Sequence, residues 1–348
     1  MGKSNGEWGT AMVTMKKIAE LCHVSRGTVD RVMHGRGRVN EETAAHIRRV
    51  AKELGYEPNP AAKALAARKK QPTVAVILPS EGNAFFDEVI RGLQAAADEY
   101  KIYGLSMQLL TMKGYDPGTM LELLDAAQDA DAVLIDPIDD DDIRRAIDHF
   151  VDMGKFVVTV NVDLPSSKRH AYVGSDYENG GVTACALLEA FTHGQARVGV
   201  VLGSQRISGH RARLAGFEWR MKRSPGLAIE AVIENDDDEF TSFERTKAML
   251  RTHPQITALF LVAGGVYGAC RAVKELAPEH RPTVIAFDSV PSTVEMMKEG
   301  IIKAVLYQHP YRQGHRAMEL AFDKLVNGRA PYKEMYILNH EIRLLENV

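Results

Sequence analysis

Between residues 14 and 33 the apolar positions Ile18, Ala19, Val24, Val29 and Val32 fall at the spacing of two short helices packed across a tight turn. Ser25 stands where the second helix needs an N-cap, since its hydroxyl can accept from an otherwise orphaned backbone N–H. A third helix is predicted over 41–54. Asn40 caps it, Glu41 and Glu42 suit its N-terminus, and Ile47, Val50, Ala51 and Leu54 form its buried stripe. An alanine-rich stretch at 58–70 follows, with proline suited to a first helical turn. So short a helix is marginal in water by itself. From residue 71 the texture changes. An apolar run at 73–78 reads as a buried strand and 85–100 as an amphipathic helix. Strand and helix then alternate through 105–110, 118–129, 132–135, 140–152 and 156–161. A second set begins at Tyr172-Val173 and runs through 178–193, 197–202, 210–222, 228–234, 241–252, 257–262, 266–276 and 283–287. Alternation of this kind predicts parallel sheets flanked by helices, and ten or so units in two sets predict two doubly wound lobes. The chain is expected to cross between them near Val160, Ala286 and Tyr307.

Composition narrows the classes. A length of 348 residues suits a small head plus two lobes, and 45% hydrophobic content is ordinary for a globular protein. No apolar run approaches the ~20 residues of a membrane span. The opening MGKSNGEWGTAM lacks a hydrophobic stretch and cleavage site, so residues 1–12 read as a disordered leader and the expected location is cytoplasmic. Cys22, Cys185 and Cys270 have no ligand-like spacing, which points to neither disulfides nor a metal site. Charge divides the chain more sharply than its total of −3 suggests. Residues 1–70 hold 14 Lys/Arg against 7 Asp/Glu, an excess of +7, and the remainder carries −10. A basic head on an acidic body supplies phosphate affinity where a DNA reader needs it.

The chemistry of the head is concentrated at the start of its second helix. Arg26, Gly27 and Thr28 occupy the exposed first positions, those that meet base edges in a helix-turn-helix, and Arg31 lies one turn on. The run Thr14, Ile18, Ala19, Cys22, Val24, Ser25, Thr28, Val29, Arg31 and Val32, followed by Leu54-Gly55-Tyr56-Glu57-Pro58-Asn59, resembles the LacI family of bacterial repressors. The resemblance covers nearly the whole chain. It implies an all-α helix-turn-helix domain at 13–57, a hinge helix and linker at 58–70, and a two-lobed effector-binding and dimerisation domain of periplasmic-binding-protein type I at 71–348. It implies DNA contacts from Thr14, Ser25, Arg26, Gly27, Thr28, Arg31, His34, Asn59 and Ala62. Leu65 matches the family's wedge leucine, which pries minor-groove base steps apart. Two positions depart from the pattern: His23 replaces the usual glycine of the turn, and Asp30 a small residue. Asp30 is left either to read a cytosine amino group or to pair with Arg26 or Arg31.

In the body, Asn83-Ala84-Phe85-Phe86 resembles the N-P-F-F motif of ribose-type binding proteins. There the asparagine bonds a hydroxyl and the rings cover the apolar faces of a sugar. By the same resemblance Asn161 falls on the family's aspartate and Val162 on its arginine, with Asp163 compensating. Arg211 and Arg213 belong to a helix whose arginines fork onto the ligand, and which of the two reaches it is open. Asp288 ends a strand as an acceptor for vicinal hydroxyls, and Gln308 closes the site. The loop at 263–268 lacks the usual asparagine or aspartate, which leaves that side poorer in polar contacts. Asp176 reads as a helix cap or lobe hinge. The acidic runs at 139–142 and 236–238 read as helix-start carboxylates and a solvated loop.

Three functions compete. A ligand-responsive repressor needs a head, a hinge and a sensing body, and all three are legible. A periplasmic-type sugar-binding receptor needs a signal sequence and no head. An enzyme needs a cofactor loop, nucleophile or metal set, and neither G-x-G-x-x-G after a strand nor a P-loop occurs. The reading is a homodimeric, non-enzymatic regulator with no cofactor and no membrane partner. It is expected to bind a near-palindromic double-stranded operator and to answer to a small sugar or polyol in the cleft, with induction and corepression both open.

Overall fold

The computed structural model describes residues 13–33, 37, 39–56, 65 and 68–348. The leader expected at 1–12, the candidates His34, Asn59 and Ala62, and most of the hinge segment fall outside that set. The chain divides into two compact units, with the break after Lys63.

The first unit holds α1 (Met15–Leu21), α2 (Arg26–Met33) and α3 (Glu41–Glu53). Each start is capped, the second and third as the sequence predicts. Thr14 accepts from the Lys17 N–H at 3.3 Å, Ser25 from Thr28 at 3.1 Å and Asn40 from Glu42 at 2.9 Å. The three helices share a core of Ile18, Ala19, Cys22, Val29, Val32, Ala44, Ile47 and Ala51. His23 sits in the turn at φ +51°, a left-handed conformation that explains why glycine is usual there.

The second unit contains two six-stranded sheets. Its strands are β1 (Thr73–Leu78), β2 (Ser106–Thr111), β3 (Ala132–Ile135), β4 (Phe156–Asn161), β5 (Ala171–Ser175), β6 (Ala196–Leu202), β7 (Leu227–Glu234), β8 (Ala258–Leu261), β9 (Thr283–Phe287), β10 (Ile302–Tyr307), β11 (Met335–Leu338) and β12 (Glu341–Arg343). The first sheet runs β2-β1-β3-β4-β5-β11 and is parallel throughout. The second runs β7-β6-β8-β9-β10-β12, with only β12 antiparallel. Both follow one doubly wound order, which opens a crevice at the carboxyl ends of the strands where the order reverses. Strands buried on both faces explain the unbroken apolar runs of β3 and β8.

Nine helices cover the described parts of these sheets: α4 (Phe85–Tyr100), α5 (Pro117–Ala126), α6 (Asp141–Asp152), α7 (Tyr177–Phe191), α8 (Ser208–Met221), α9 (Glu239–Thr252), α10 (Val266–Lys274), α11 (Pro291–Lys298) and α12 (Pro310–Leu325). Two close crossings carry a glycine on each helix. α4 meets α12 through Gly92 and Gly314, and α7 meets α8 through Gly181 and Gly216. At each glycine an added Cβ would overlap the facing backbone.

The crossings between lobes differ from the sequence expectation. β4 and β5 both belong to the first sheet, so the chain leaves it at Asp176 and not near Val160. The second set therefore begins after Tyr172-Val173. Ala286 lies inside β9 of the second sheet. The return after Tyr307 falls where expected, because α12 packs on α4 of the first lobe, and a third crossing links β11 to β12. Buried apolar runs identify strands but carry no mark of which sheet they join.

Candidate functional site

A cavity of about 880 Å³, its open mouth included, lies between the two lobes of the second unit at the carboxyl ends of their strands. Seven of the sequence candidates line it: Asn83, Phe85, Phe86, Asn161, Arg213, Asp288 and Gln308. Asn83 caps α4 by accepting from the Phe85 N–H at 3.1 Å. The two phenylalanine rings meet edge to face at 5.2 Å and form an apolar wall. Asn161 and Asp288 end β4 and β9 in left-handed conformations, φ +64° and +62°, which turn each side chain off its strand into the cavity wall.

Arg213 is the centre of the polar wall. The Gly181–Gly216 crossing sets the height of α8, and Arg213 reaches from it with only 2% of its surface exposed. Nη1 donates to the Val262 carbonyl at 2.6 Å, and the guanidinium stacks 3.5 Å from the Phe287 ring centroid and 4.5 Å from that of Tyr177. Burial pulls its pKa down from the usual value, opposed by Tyr177, Asp288 and Asp237, and an arginine so placed keeps its charge. Its Nε and Nη2 have no partner. Asp288 Oδ1 and Gln308 Oε1 are equally without one, although Gln308 Nε2 donates to Asp288 Oδ2 at 2.8 Å. Buried polar groups in native proteins are nearly always paired, so unpaired donors and acceptors on one cavity wall mark where a hydroxylated molecule would bond. Burial lifts Asp288 to about 6, even with Arg213 and Gln308 favouring its charged form.

Two candidates do not line the cavity. Asp163 accepts both guanidinium nitrogens of Arg169 at 2.6 Å, and also Thr159 Oγ1 and the Leu164 N–H at 2.8 Å. Its carboxylate is saturated within the first lobe. Arg211 points outward, 40% exposed, and pairs with Asp139 and the Gln205 carbonyl. Of the two arginines left open by sequence, Arg213 lines the cavity and Arg211 does not. Adjacent positions on a helix lie about 100° apart, and two residues cannot share one face at a spacing of two.

Among the cavity residues not singled out by sequence are Tyr115, Asp136, His210 and Asp237. Asp136 ends β3, accepting from Asn161 Nδ2 at 3.0 Å and the Val162 N–H at 3.1 Å, and burial lifts it to about 7. Asp237 accepts from the Tyr115 hydroxyl and from the Gly264 N–H at 2.9 Å. His210 Nδ1 accepts from the Ser204 N–H at 3.0 Å, which leaves the hydrogen of the neutral ring on Nε2, facing Asp237 at 4.0 Å. Burial holds that ring neutral by lowering its pKa. The reading of 236–238 as solvated loop is thus corrected at Asp237. Asp236 is exposed and Asp238 caps α9, but Asp237 faces the cleft. The available signal was a carboxylate at a strand's carboxyl end. Asp176 caps α7 by accepting from the Asn179 N–H at 2.9 Å, in line with the sequence reading.

The lobes are drawn together around this cavity. Tyr115 reaches Asp237, Arg211 pairs with Asp139, Ser208 Oγ donates to the Asp163 carbonyl at 3.1 Å, and Tyr177 donates to Asn161 Oδ1 at 2.7 Å.

In the first unit, Ser25, Arg26, Gly27 and Arg31 are exposed on α2 and Thr28 is half-buried. Arg31 lies along the helix, donating to the Gly27 carbonyl at 3.2 Å and to Thr28 Oγ1 at 3.4 Å. Leu65 is helical and 63% exposed, an apolar side chain left in solvent.

Comparison with known proteins places two families on the chain. Bacterial regulatory proteins of the lacI family match residues 14–59, and the periplasmic binding protein domain matches residues 74–330. Catabolite control protein A of Staphylococcus aureus is 39% identical over 93 residues, and that of Staphylococcus xylosus 38% over 93. Each match takes in 27% of this chain and 28% of the relative, so the similarity spans about a quarter of the curated relatives. Among solved structures, a glucose-galactose binding protein from Geobacillus stearothermophilus has a TM-score of 0.73 at 24% identity, over 80% of this chain and 99% of its own. A solute binding protein from Actinobacillus succinogenes with bound D-allose has a TM-score of 0.71 at 19% identity, over 79% and 98%. At these identities the likeness is one of fold.

Proposed function

The chain belongs to the periplasmic binding protein domain family and carries a lacI-family DNA-binding domain at its front, and from that premise we propose that it is a sugar-responsive transcriptional repressor. The observation that carries the sensing half is the cluster of unpartnered buried atoms on Arg213, Asp288 and Gln308, opposite the Phe85–Phe86 wall. Donors and acceptors facing an apolar surface suit a sugar or polyol, which bonds through its hydroxyls and stacks through its C–H faces. For the reading half, the exposed start of α2 presents Arg26 and Gly27, with Thr28 beside them, on a helix locked by the Ser25 cap. The names of the relatives favour the same reading, since catabolite control proteins are regulators and the glucose-galactose binding protein is named for its sugars. In this reading the protein acts in the cytoplasm as a homodimer on a near-palindromic operator, as two-fold symmetry requires. Ligand held by both lobes favours the closed arrangement and so biases DNA binding. Gel-shift titration of the full chain on its own promoter, with and without sugars and polyols, tests it. A response to one compound that is lost in Arg213→Ala supports the reading. Binding that ignores every sugar and polyol overturns the sensing half, and failure to shift the promoter at all overturns the DNA half.

A further inference from the structure

The cavity is acid-rich in a way that a neutral sugar does not require. Asp136 from the first lobe and Asp237, Glu239 and Asp288 from the second line it, and among the described residues Arg213 is the one permanently charged cation on its wall; His210 accepts at Nδ1 from the Ser204 N–H, and burial lowers its pKa. Asp136 and Asp237 line the same cavity from opposite lobes, Asp136 held by Asn161 and Val162 and Asp237 by the Tyr115 hydroxyl that crosses from the first lobe. The space for Asp237 is built, not incidental. A Cβ at Gly203 or Gly264 would collide with its side chain, so the loop after β8 is bare of side chains where this carboxylate lies. Asp236 and Asp237 take consecutive left-handed conformations, φ +53° and +56°, and Asn235 Oδ1 holds the bend by accepting the Asp237 N–H at 3.0 Å. Strain of this sort persists only where the surroundings enforce it, and it clusters at ligand sites. Hydrogen bonds from Tyr115, Gly264, Asn161 and Val162 orient the two carboxylates but supply no cation, so burial disfavours the charged form of Asp136, which a cation seated beside both would restore.

We propose that the effector is an amino sugar, whose ammonium lies between Asp136 and Asp237 while its hydroxyls meet Arg213, Asp288 and Gln308. The second observation is independent of the acids: Arg213 and Gln308, each 2% exposed, direct unpaired atoms into the same cavity and demand a polar ligand there. The proposal rests on the cleft being the effector site. Calorimetry on the full chain at neutral pH tests it, with D-glucosamine, D-galactosamine and D-mannosamine against their parent hexoses and N-acetyl forms. One amino sugar should bind at least roughly tenfold tighter than both neutral counterparts, as a partly buried ion pair gives. Asp237→Asn should bring that ratio close to one, and Asp136→Asn should do the same, with melting temperatures showing that both variants fold. A neutral hexose that binds as tightly as its amine, through Arg213, overturns the charge assignment and leaves the regulatory reading intact. An unchanged ratio in both folded variants overturns it too. Absence of binding by every sugar overturns the cleft reading and this inference together.

Discussion

Residues in left-handed conformations stand at several functional turns of this chain: His23 in the head, Asn161 and Asp288 at strand ends, Asp237 in the acidic loop. Each re-aims a side chain or tightens a turn where a regular φ would run straight on. Asp288 shows what this achieves, because its bend sets Oδ1 into the cavity unpaired. Asp288→Ala is expected to weaken effector binding ten- to a hundredfold, matching the ~1.5–3 kcal/mol of a charged hydrogen bond. Operator binding should be unchanged, and paired calorimetry and gel shifts check both halves. In the head, Arg26→Ala is expected to relax preference at one operator position at a cost of about 1–3 kcal/mol, read from a panel of operator variants. At this scale the sequence was half legible. Positions matched by a motif, such as Phe85, Phe86 and Gln308, fell on the cavity. Asp136 and Asp237 did not announce themselves, since an aspartate beside a helix start usually caps it, and Asp140 and Asp238 do so here.

Among elements, the glycine crossings matter most. Gly181 and Gly216 let α7 and α8 approach to backbone contact, and Arg213 rides on α8 at that point. Alanine would add up to ~1 kcal/mol of helix propensity at Gly181. The new methyl group would meet the Arg213 carbonyl, which has nowhere to move, and overpacking costs about 1–3 kcal/mol, so sterics win. Gly181→Ala is therefore expected to lower the melting temperature and weaken the effector at once, whereas Arg213→Ala weakens the effector with the crossing intact. Melting curves beside ligand titrations separate the two. Helices and strands were legible as far as β9, because periodicity and caps are local, whereas α11, β10, α12, β11 and β12 were not read as elements. The partners of Asp163 and Arg211 were not: Arg169 and Asp139 come to them only through the fold.

On the scale of the molecule, the cavity couples stability to pH. Asp136 and Asp288 sit at about 7 and 6, above the ordinary carboxylate value of ~3.9, so the folded protein holds protons that the unfolded chain releases. That contribution is fully present below pH ~4 and is lost as pH rises through the two folded values. The lowered values of His170, His210, His309 and His340 act in the opposite sense over the same window, so the readout is a difference: without effector, the melting temperature of the protein relative to that of Asp288→Asn should fall between pH 5 and pH 8 in a pH series of melting curves.

The three crossings between lobes also set the order in which a growing chain can finish itself. Both core clusters of the second lobe lie between residues 184 and 306. One face of the first sheet, behind Val74, Val76 and Leu134, waits instead for Ala317, Met318, Leu320, Ala321 and Phe322 of α12, and for Tyr336 of β11. The lobe translated first is sealed last. During synthesis the part of that face beside α4 stays open while the lobe behind it folds, and that strip is the surface a ribosome-associated chaperone would have to shield.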